Sequence, residues 1–238
     1  MAPQTLNVKT EIHGRVLFED AAVSIPRGLV VVFHGYAQRA EDALTDLHRV
    51  PGIDGWQIAA PQALHRFYLR GGRSPEDPVV GSWMTREDRD LAIMDAVTYV
   101  DRVIDRVLDA RAGARARAPG AATSETHIVT VPRIVFVGFS QGASMAYRAA
   151  ILGSHRAAGI VALGGDIPPE VKPAPGLPWP RVLVGAGDDE LWYTASKVAA
   201  DEAWLTQRGI VHTIARFAGG HEWTDEFRAS VGAFLDRC

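Results

Sequence analysis

The sequence predicts an α/β fold, a mostly parallel sheet with helices on both faces. Short β-branched-rich apolar runs, bounded by Gly, Pro or polar clusters, recur along the chain. They are continuous rather than alternating, as strands covered on both faces require. Between them lie segments with apolar residues at every third or fourth position, the stripe of a packed helix. Strand and helix patterns thus alternate, which implies parallel strands sandwiched by helices. The chain has 238 residues, 47% hydrophobic and 22% charged, a length and balance that fit one such domain, taken as 1–238.

The segment TEIHGRVLFED (10–20) alternates and is expected as an antiparallel edge strand. Buried strands are expected in GLVVVFHG (28–35), WQIAAPQ (56–62), PRIVFVGFS (132–140), AAGIVALGG (157–165), PRVLVGAG (180–187) and IVHTIARFAGG (210–220). The longest helix is expected to start at Thr85, with Asp88 three residues on as a capping-box-like partner. Leu91, Met94, Val97, Val100, Ile104 and Val107 form its apolar stripe. A second helix follows Ser140 and stops at Gly153, and a third runs through TASKVAADEAWLTQRG to Gly209. The last starts at Thr224 as N-cap, with Asp225 and Glu226 in its first turn, where the helix dipole favours acids. Residues 111–126, rich in Ala, Arg and Gly, read as a flexible loop, and 168–180, with six prolines, as an extended connection.

Composition excludes several classes of function. The formal charge is −3, and the one basic cluster (Arg111, Arg115, Arg117) lies in the expected loop, so no nucleic-acid partner is expected. Cys238 is the single cysteine, and neither CxxC nor HExxH spacing occurs, so neither a metal nor a cofactor is expected. No apolar run approaches the ~20 residues of a membrane span, and the N-terminus lacks a leader pattern. The chain reads as soluble and cytoplasmic; its oligomeric state is not legible.

Gly138-Phe139-Ser140-Gln141-Gly142 fits G-x-S-x-G and sits between an expected strand and an expected helix. That context suits a nucleophile on a sharp turn, with the helix N-terminus facing a developing oxyanion. A serine needs a base, and in this architecture the order is Ser, acid, His. His221 in AGGHEW follows the last strand, where two glycines would let a loop carry its imidazole over the serine. His212 lies inside a strand pattern and reads as structural, and His155, close behind the serine's helix, reads as a surface residue. The acid is expected in GAGDDELWYT, where Asp188, Asp189 and Glu190 compete and spacing alone does not choose. The loop after FHG supplies one oxyanion N–H and the residue after the nucleophile the other, which points to Tyr36 and Gln141. Gly35 would let the backbone approach the substrate, and His34 reads as a packing residue of that loop.

With FHGY, GFSQGA, GDIPPE and GGHEW in this order, the chain resembles the α/β-hydrolase superfamily. Within it, it resembles the phospholipase/carboxylesterase family, which includes acyl-protein thioesterases and small bacterial esterases. The resemblance runs from about Thr10 to Leu235. It implies catalytic roles for Ser140 and His221 and oxyanion donors at Tyr36 and Gln141. The family usually carries aspartate as the acid; an ungapped alignment through WYT puts Glu190 at that place and favours it over Asp188. Phe67, Tyr68, Trp83, Met84, Trp192 and Trp223 fall in segments expected near the mouth, with Trp83 and Met84 as expected walls of a substrate pocket. No long lid is apparent, so the implied activity is serine carboxylesterase action on small-molecule esters of short or medium acyl chains. A thioesterase or lysophospholipase, or a catalytically silent binding protein of the same fold, is the alternative.

Overall fold

A computed structural model of the chain describes residues 3–116, 133–173 and 178–238. Seven strands form the main sheet: β1 (Val16–Glu19), β2 (Leu29–Phe33), β3 (Gln57–Pro61), β6 (Ile134–Phe139), β7 (Ala157–Leu163), β8 (Arg181–Gly187) and β9 (His212–Phe217). Their order is β1-β3-β2-β6-β7-β8-β9. Only β1 runs antiparallel, pairing Val16 with Pro61 and Glu19 with Ile58 of β3. Every expected strand is present, and 10–20 is the antiparallel edge.

Alternation along each strand divides the core in two. Leu29, Val31 and Phe33 of β2 face one side, with Ile134 and Phe136 of β6 and Val182 and Val184 of β8. The helices on that side are α2 (Arg89–Ala116), α3 (Gln141–Leu152) and α4 (Ala195–Gln207). Val30, Val32, Val135 and Val137 face the other side, under α1 (Ala40–Leu47) and α5 (Asp225–Leu235). Ala40, Ala43, Leu44 and Leu47 are the buried stripe of α1. Thr224 caps α5 as expected, its side chain accepting the Phe227 N–H.

Three expectations are corrected. The long helix begins at Arg89 rather than Thr85. Asp88 has φ 48°, a left-handed conformation that a helix cannot continue through, while its carbonyl accepts the Ala92 N–H; Thr85 Oγ1 instead donates to the carbonyl of Glu87. Leu91 and Met94 consequently face outward, and Ile93, Ala96, Val97, Val100, Ile104 and Val107 form the buried stripe. The expected loop at 111–126 is helical as far as Ala116, and the rest of it lies outside the described residues. A hairpin of β4 (His65–Tyr68) and β5 (Val79–Ser82), apart from the main sheet, has no counterpart among the expected elements, nor has α1.

Candidate active site

Chain order reverses beside β2, which lies between β3 and β6 in the sheet. In open parallel sheets such a switch point leaves a crevice outside the carboxyl ends of the strands. The loops carrying Tyr36, Ser140, Gly164, Glu190 and His221 follow β2, β6, β7, β8 and β9, so all five leave the sheet at that edge.

Ser140 has φ 56° and ψ −120°, a conformation that a non-glycine residue adopts only under strain of about 1–3 kcal/mol. Its N–H donates to the Leu163 carbonyl at 2.8 Å, and its carbonyl accepts the Ala143 N–H at 3.0 Å as α3 begins. The flanking glycines are required by close packing of backbone on backbone. A Cβ on Gly138 would run into the Gly142 carbonyl, and one on Gly142 into the carbonyls of Phe33 and His34. The hydroxyl of Ser140 has no hydrogen-bond partner among the described residues.

The His221 ring lies against Phe139, the residue before the serine, with centroids 4.7 Å apart. Its Nδ1 is 2.7 Å from Glu190 Oε2. The Glu190 side chain is only 2% exposed, and its other oxygen accepts the Trp192 N–H at 2.8 Å and the Tyr193 N–H at 3.4 Å. Burial pushes this carboxyl up, but the Trp192 amide and the imidazole outweigh burial and hold it below the ordinary range. It is therefore ionised at neutral pH, so Nδ1 carries the ring proton and donates it. Of the three competing carboxylates the structure brings Glu190 to His221, while Asp188 and Asp189 are exposed. Gly164, at φ 64°, lies beneath this pair; a Cβ there would stand 2.9 Å from Cε1 of His221 and 3.3 Å from Glu190 Oε2. His212 is at the start of β9, the opposite edge, with Nδ1 2.8 Å from the Ile210 carbonyl. His155 is also remote, its Nε2 3.1 Å from Asp105 Oδ1.

The backbone N–H groups of Tyr36 and Gln141 have no protein partner among the described residues. Several contacts hold the Tyr36 loop. Ala37 has φ 56°; its N–H donates to the Gly81 carbonyl, and the Gly81 N–H donates to the Gln38 carbonyl, both at 3.0 Å. The Gly35 N–H donates to Gln38 Oε1 at 2.6 Å, and a Cβ on Gly35 would stand 2.8 Å from that oxygen. Gly35 is thus needed for the approach of Gln38. His34 is buried, and burial lowers its pKa, so the ring is neutral. Its Nε2 accepts the Ala63 N–H at 3.1 Å, which leaves Nδ1–H to donate to the Gly35 carbonyl at 2.7 Å.

The side chain of Gln141, which the sequence did not single out, joins this loop system to the Ser140 turn. Its Oε1 accepts the Trp83 N–H at 2.8 Å, and its Nε2 donates to Ser82 Oγ at 3.0 Å. Strand β5 and the residues after it therefore bond to both loops that carry a free amide.

The expected pocket walls part company. Trp83 is 1% exposed. Its ring packs edge-on against Phe33 at 5.2 Å, and its Nε1–H donates to the His34 carbonyl at 2.9 Å. A wholly buried indole offers no face to a substrate, so Trp83 is a supporting core residue. Met84 is half-buried against the core. Tyr36 is exposed and stacks on Phe67, with ring centroids 5.6 Å apart. Tyr68, Leu191 and Trp192 are also exposed. Trp223 packs on Phe227 of α5 at 5.4 Å.

Among the described residues no group of three or more His, Cys, Asp or Glu side chains could hold a metal ion, and no helix is long and apolar enough to cross a membrane. The fold is shared with a carboxylesterase from Mesorhizobium loti, at a TM-score of 0.67 and 18% identity over 94% of this chain and 93% of that one. A phospholipase/carboxylesterase from Dyadobacter fermentans gives 0.65 and 19%, over 96% and 99%. Esterase PE8 gives 0.65 and 22%, over 95% and 99%. At these identities the likeness establishes an α/β-hydrolase fold. No curated protein sequence matches the chain. The sequence profile of the phospholipase/carboxylesterase family, however, matches residues 24–236, almost the whole sheet and its helices. The chain belongs to the phospholipase/carboxylesterase family of ester-hydrolysing enzymes.

Proposed function

We propose that the protein is a serine carboxylesterase that hydrolyses short- to medium-chain carboxylic esters through an acyl-enzyme. The observation that carries this reading is the buried Glu190–His221 hydrogen bond, lying against Phe139 beside the strained turn of Ser140. Glu190 fixes the tautomer with hydrogen on Nδ1 and leaves Nε2 with a lone pair. As Ser140 Oγ attacks the ester carbonyl carbon, Nε2 takes the hydroxyl proton. The carbonyl π electrons move onto oxygen, and the N–H groups of Tyr36 and Gln141 receive that oxyanion. Donors already in place cost no reorganisation, and losing one in such a site typically costs about 10²–10³ in kcat. Collapse breaks the bond to the alkoxy group, which leaves as alcohol with the proton from Nε2. Water then attacks the acyl-enzyme, gives its proton to Nε2, and the carboxylic acid departs as the proton returns to Ser140.

Two experiments test this. A fluorophosphonate should label wild-type protein at Ser140 and leave Ser140→Ala unlabelled, and the variant should lose about 10⁶ in kcat on p-nitrophenyl esters. A folded Ser140→Ala variant that keeps a tenth of wild-type turnover would reverse the assignment. Absence of both labelling and turnover in the wild type would leave a silent binding protein. Parallel assays with a thioester and a lysophospholipid rank the substrate classes, and preference for either over the oxygen esters would overturn carboxylesterase in favour of that class.

A further inference from the structure

Asp201 of α4 is 3% exposed and lies outside the constellation described above, yet it bonds to two of its loops. One oxygen accepts the Ile167 N–H at 2.9 Å and the Tyr193 hydroxyl at 3.1 Å. The other accepts from Lys172 Nζ at 3.1 Å. Tyr193 is 1% exposed, and burial pushes its phenol far above the ordinary range, so the hydroxyl stays a donor. Through its backbone the same Tyr193 donates its N–H to Glu190 Oε1. Ile167 ends the short loop that begins with Gly164 under the His221–Glu190 pair. One buried carboxylate thus fixes both the segment that holds Glu190 and the segment on which the imidazole rests.

We propose that Asp201, acting through the Tyr193 hydroxyl, is a positioning residue for the Glu190–His221 pair. A carboxylate so placed touches no substrate; it sets where Glu190 stands, and so where Nε2 points. Charge and burial explain why this position takes an acid. A single carboxylate can accept from an amide, a phenol and an ammonium at once, which few side chains can do in so little space. Left without the Tyr193 hydroxyl, Asp201 keeps Ile167 and Lys172, so the fold survives while the acid loop loses one of its tethers, the backbone bonds of Asp188 and Asp189 to Phe217 and Gly219 remaining.

The proposal rests on the esterase reading for its kinetic consequence but not for its geometric one, and the test uses both. Tyr193→Phe deletes a single oxygen and keeps the ring in the core. It should lower kcat roughly tenfold, since displacements well under 1 Å are felt at a reacting pair, with KM within about twofold because no substrate contact changes. The far-downfield proton resonance of His221 Nδ1–H, identified by its loss in His221→Ala, should shift and broaden. Val103→Ala, a buried position on α2, controls for destabilisation and should leave kcat and the resonance unaltered. If Tyr193→Phe leaves both kcat and the resonance as in the wild type, Asp201 does no more than hold the fold together, and the proposal fails. If the wild type turns over no ester, the esterase reading falls, and the resonance alone decides whether Asp201 positions the pair.

Discussion

Gly164→Ala places one methyl group where the geometry allows none. The Cβ would stand 2.9 Å from His221 Cε1 and 3.0 Å from Nδ1, whereas carbon atoms in contact settle at about 3.5–4.0 Å. The ring must therefore move on the order of 0.6 Å or more, and the Glu190 oxygen, 3.3 Å from the new carbon, obstructs the movement on one side. A displacement approaching 1 Å costs on the order of 10²-fold in rate. The left-handed φ of 64° adds a stability cost of roughly 1–2 kcal/mol for alanine, and with about 1–3 kcal/mol for the contact the total is about 2–5 kcal/mol. For a chain of this size that is a fall of about 4–20 °C in Tm. The assay is steady-state hydrolysis of a p-nitrophenyl ester beside a thermal melt. The expected pattern is a folded protein with kcat down about a hundredfold and KM little changed. A kcat within threefold of wild type, in a protein that melts as expected, would show that the ring yields without consequence and would refute the argument.

Glu190→Gln should lose about 10⁴ in kcat, because the amide keeps the shape but favours the wrong imidazole tautomer. Asp188→Asn and Asp189→Asn, altering exposed side chains, should stay within about tenfold, roughly 1.4 kcal/mol of barrier; a dead Asp188→Asn beside an active Glu190→Gln would assign the acid to Asp188. Away from the site, burial pushes the Glu170 carboxyl up, but Arg89 and Arg148, at 2.9 and 2.6 Å, outweigh burial and hold it below its ordinary 4.5. A carboxyl lowered in the folded state stabilises above its unfolded pKa, and that contribution fades as pH falls through the folded value. The gap in Tm between wild type and Glu170→Gln should thus be full at pH 7 and narrow below pH 4.5; a gap that widens on acidification would contradict the sign.

The sequence showed the sheet clearly because its strands are buried on both faces and read as unbroken apolar runs. GLVVVFHG and RIVFVGF admit no other element. The hairpin was hidden for the opposite reason. His65–Tyr68 is mostly exposed, and its place depends on partners far away in the chain, including the Gln38–Gly81 bridge. Helix α1 left a usable signal, Ala40, Ala43, Leu44 and Leu47 at helical spacing, but over only eight residues. The start of α2 was misplaced because Thr85 and Asp88 imitate a cap, whereas a left-handed Asp88 is visible only in three dimensions. At the site, Ser140 and His221 could be located from glycine-bounded turns after strands. Pattern alone left three adjacent acids open and only the resemblance favoured Glu190, the one that meets His221; what separates it from Asp188 is burial and two backbone amides. Trp83 shows the same limit from the other side: a tryptophan near a mouth reads as a wall until its burial is known.

The contact of the Gly142 backbone with the carbonyls of Phe33 and His34 has a bearing on how such an enzyme can change. Here the approach of the Ser140 turn to the loop after β2 is set, at Gly142, by main chain against main chain. Substitution cannot adjust that distance by degrees; it either keeps hydrogen at 142 or forces the two loops apart. Diversification toward new substrates has only the periphery to work on. The side chains of Tyr36, Leu191 and Trp192 are exposed there, with Phe67 half-buried against Tyr36, and contribute to the site only through backbone or packing. A centre fixed by backbone contact and a rim of side chains let one scaffold take many specificities.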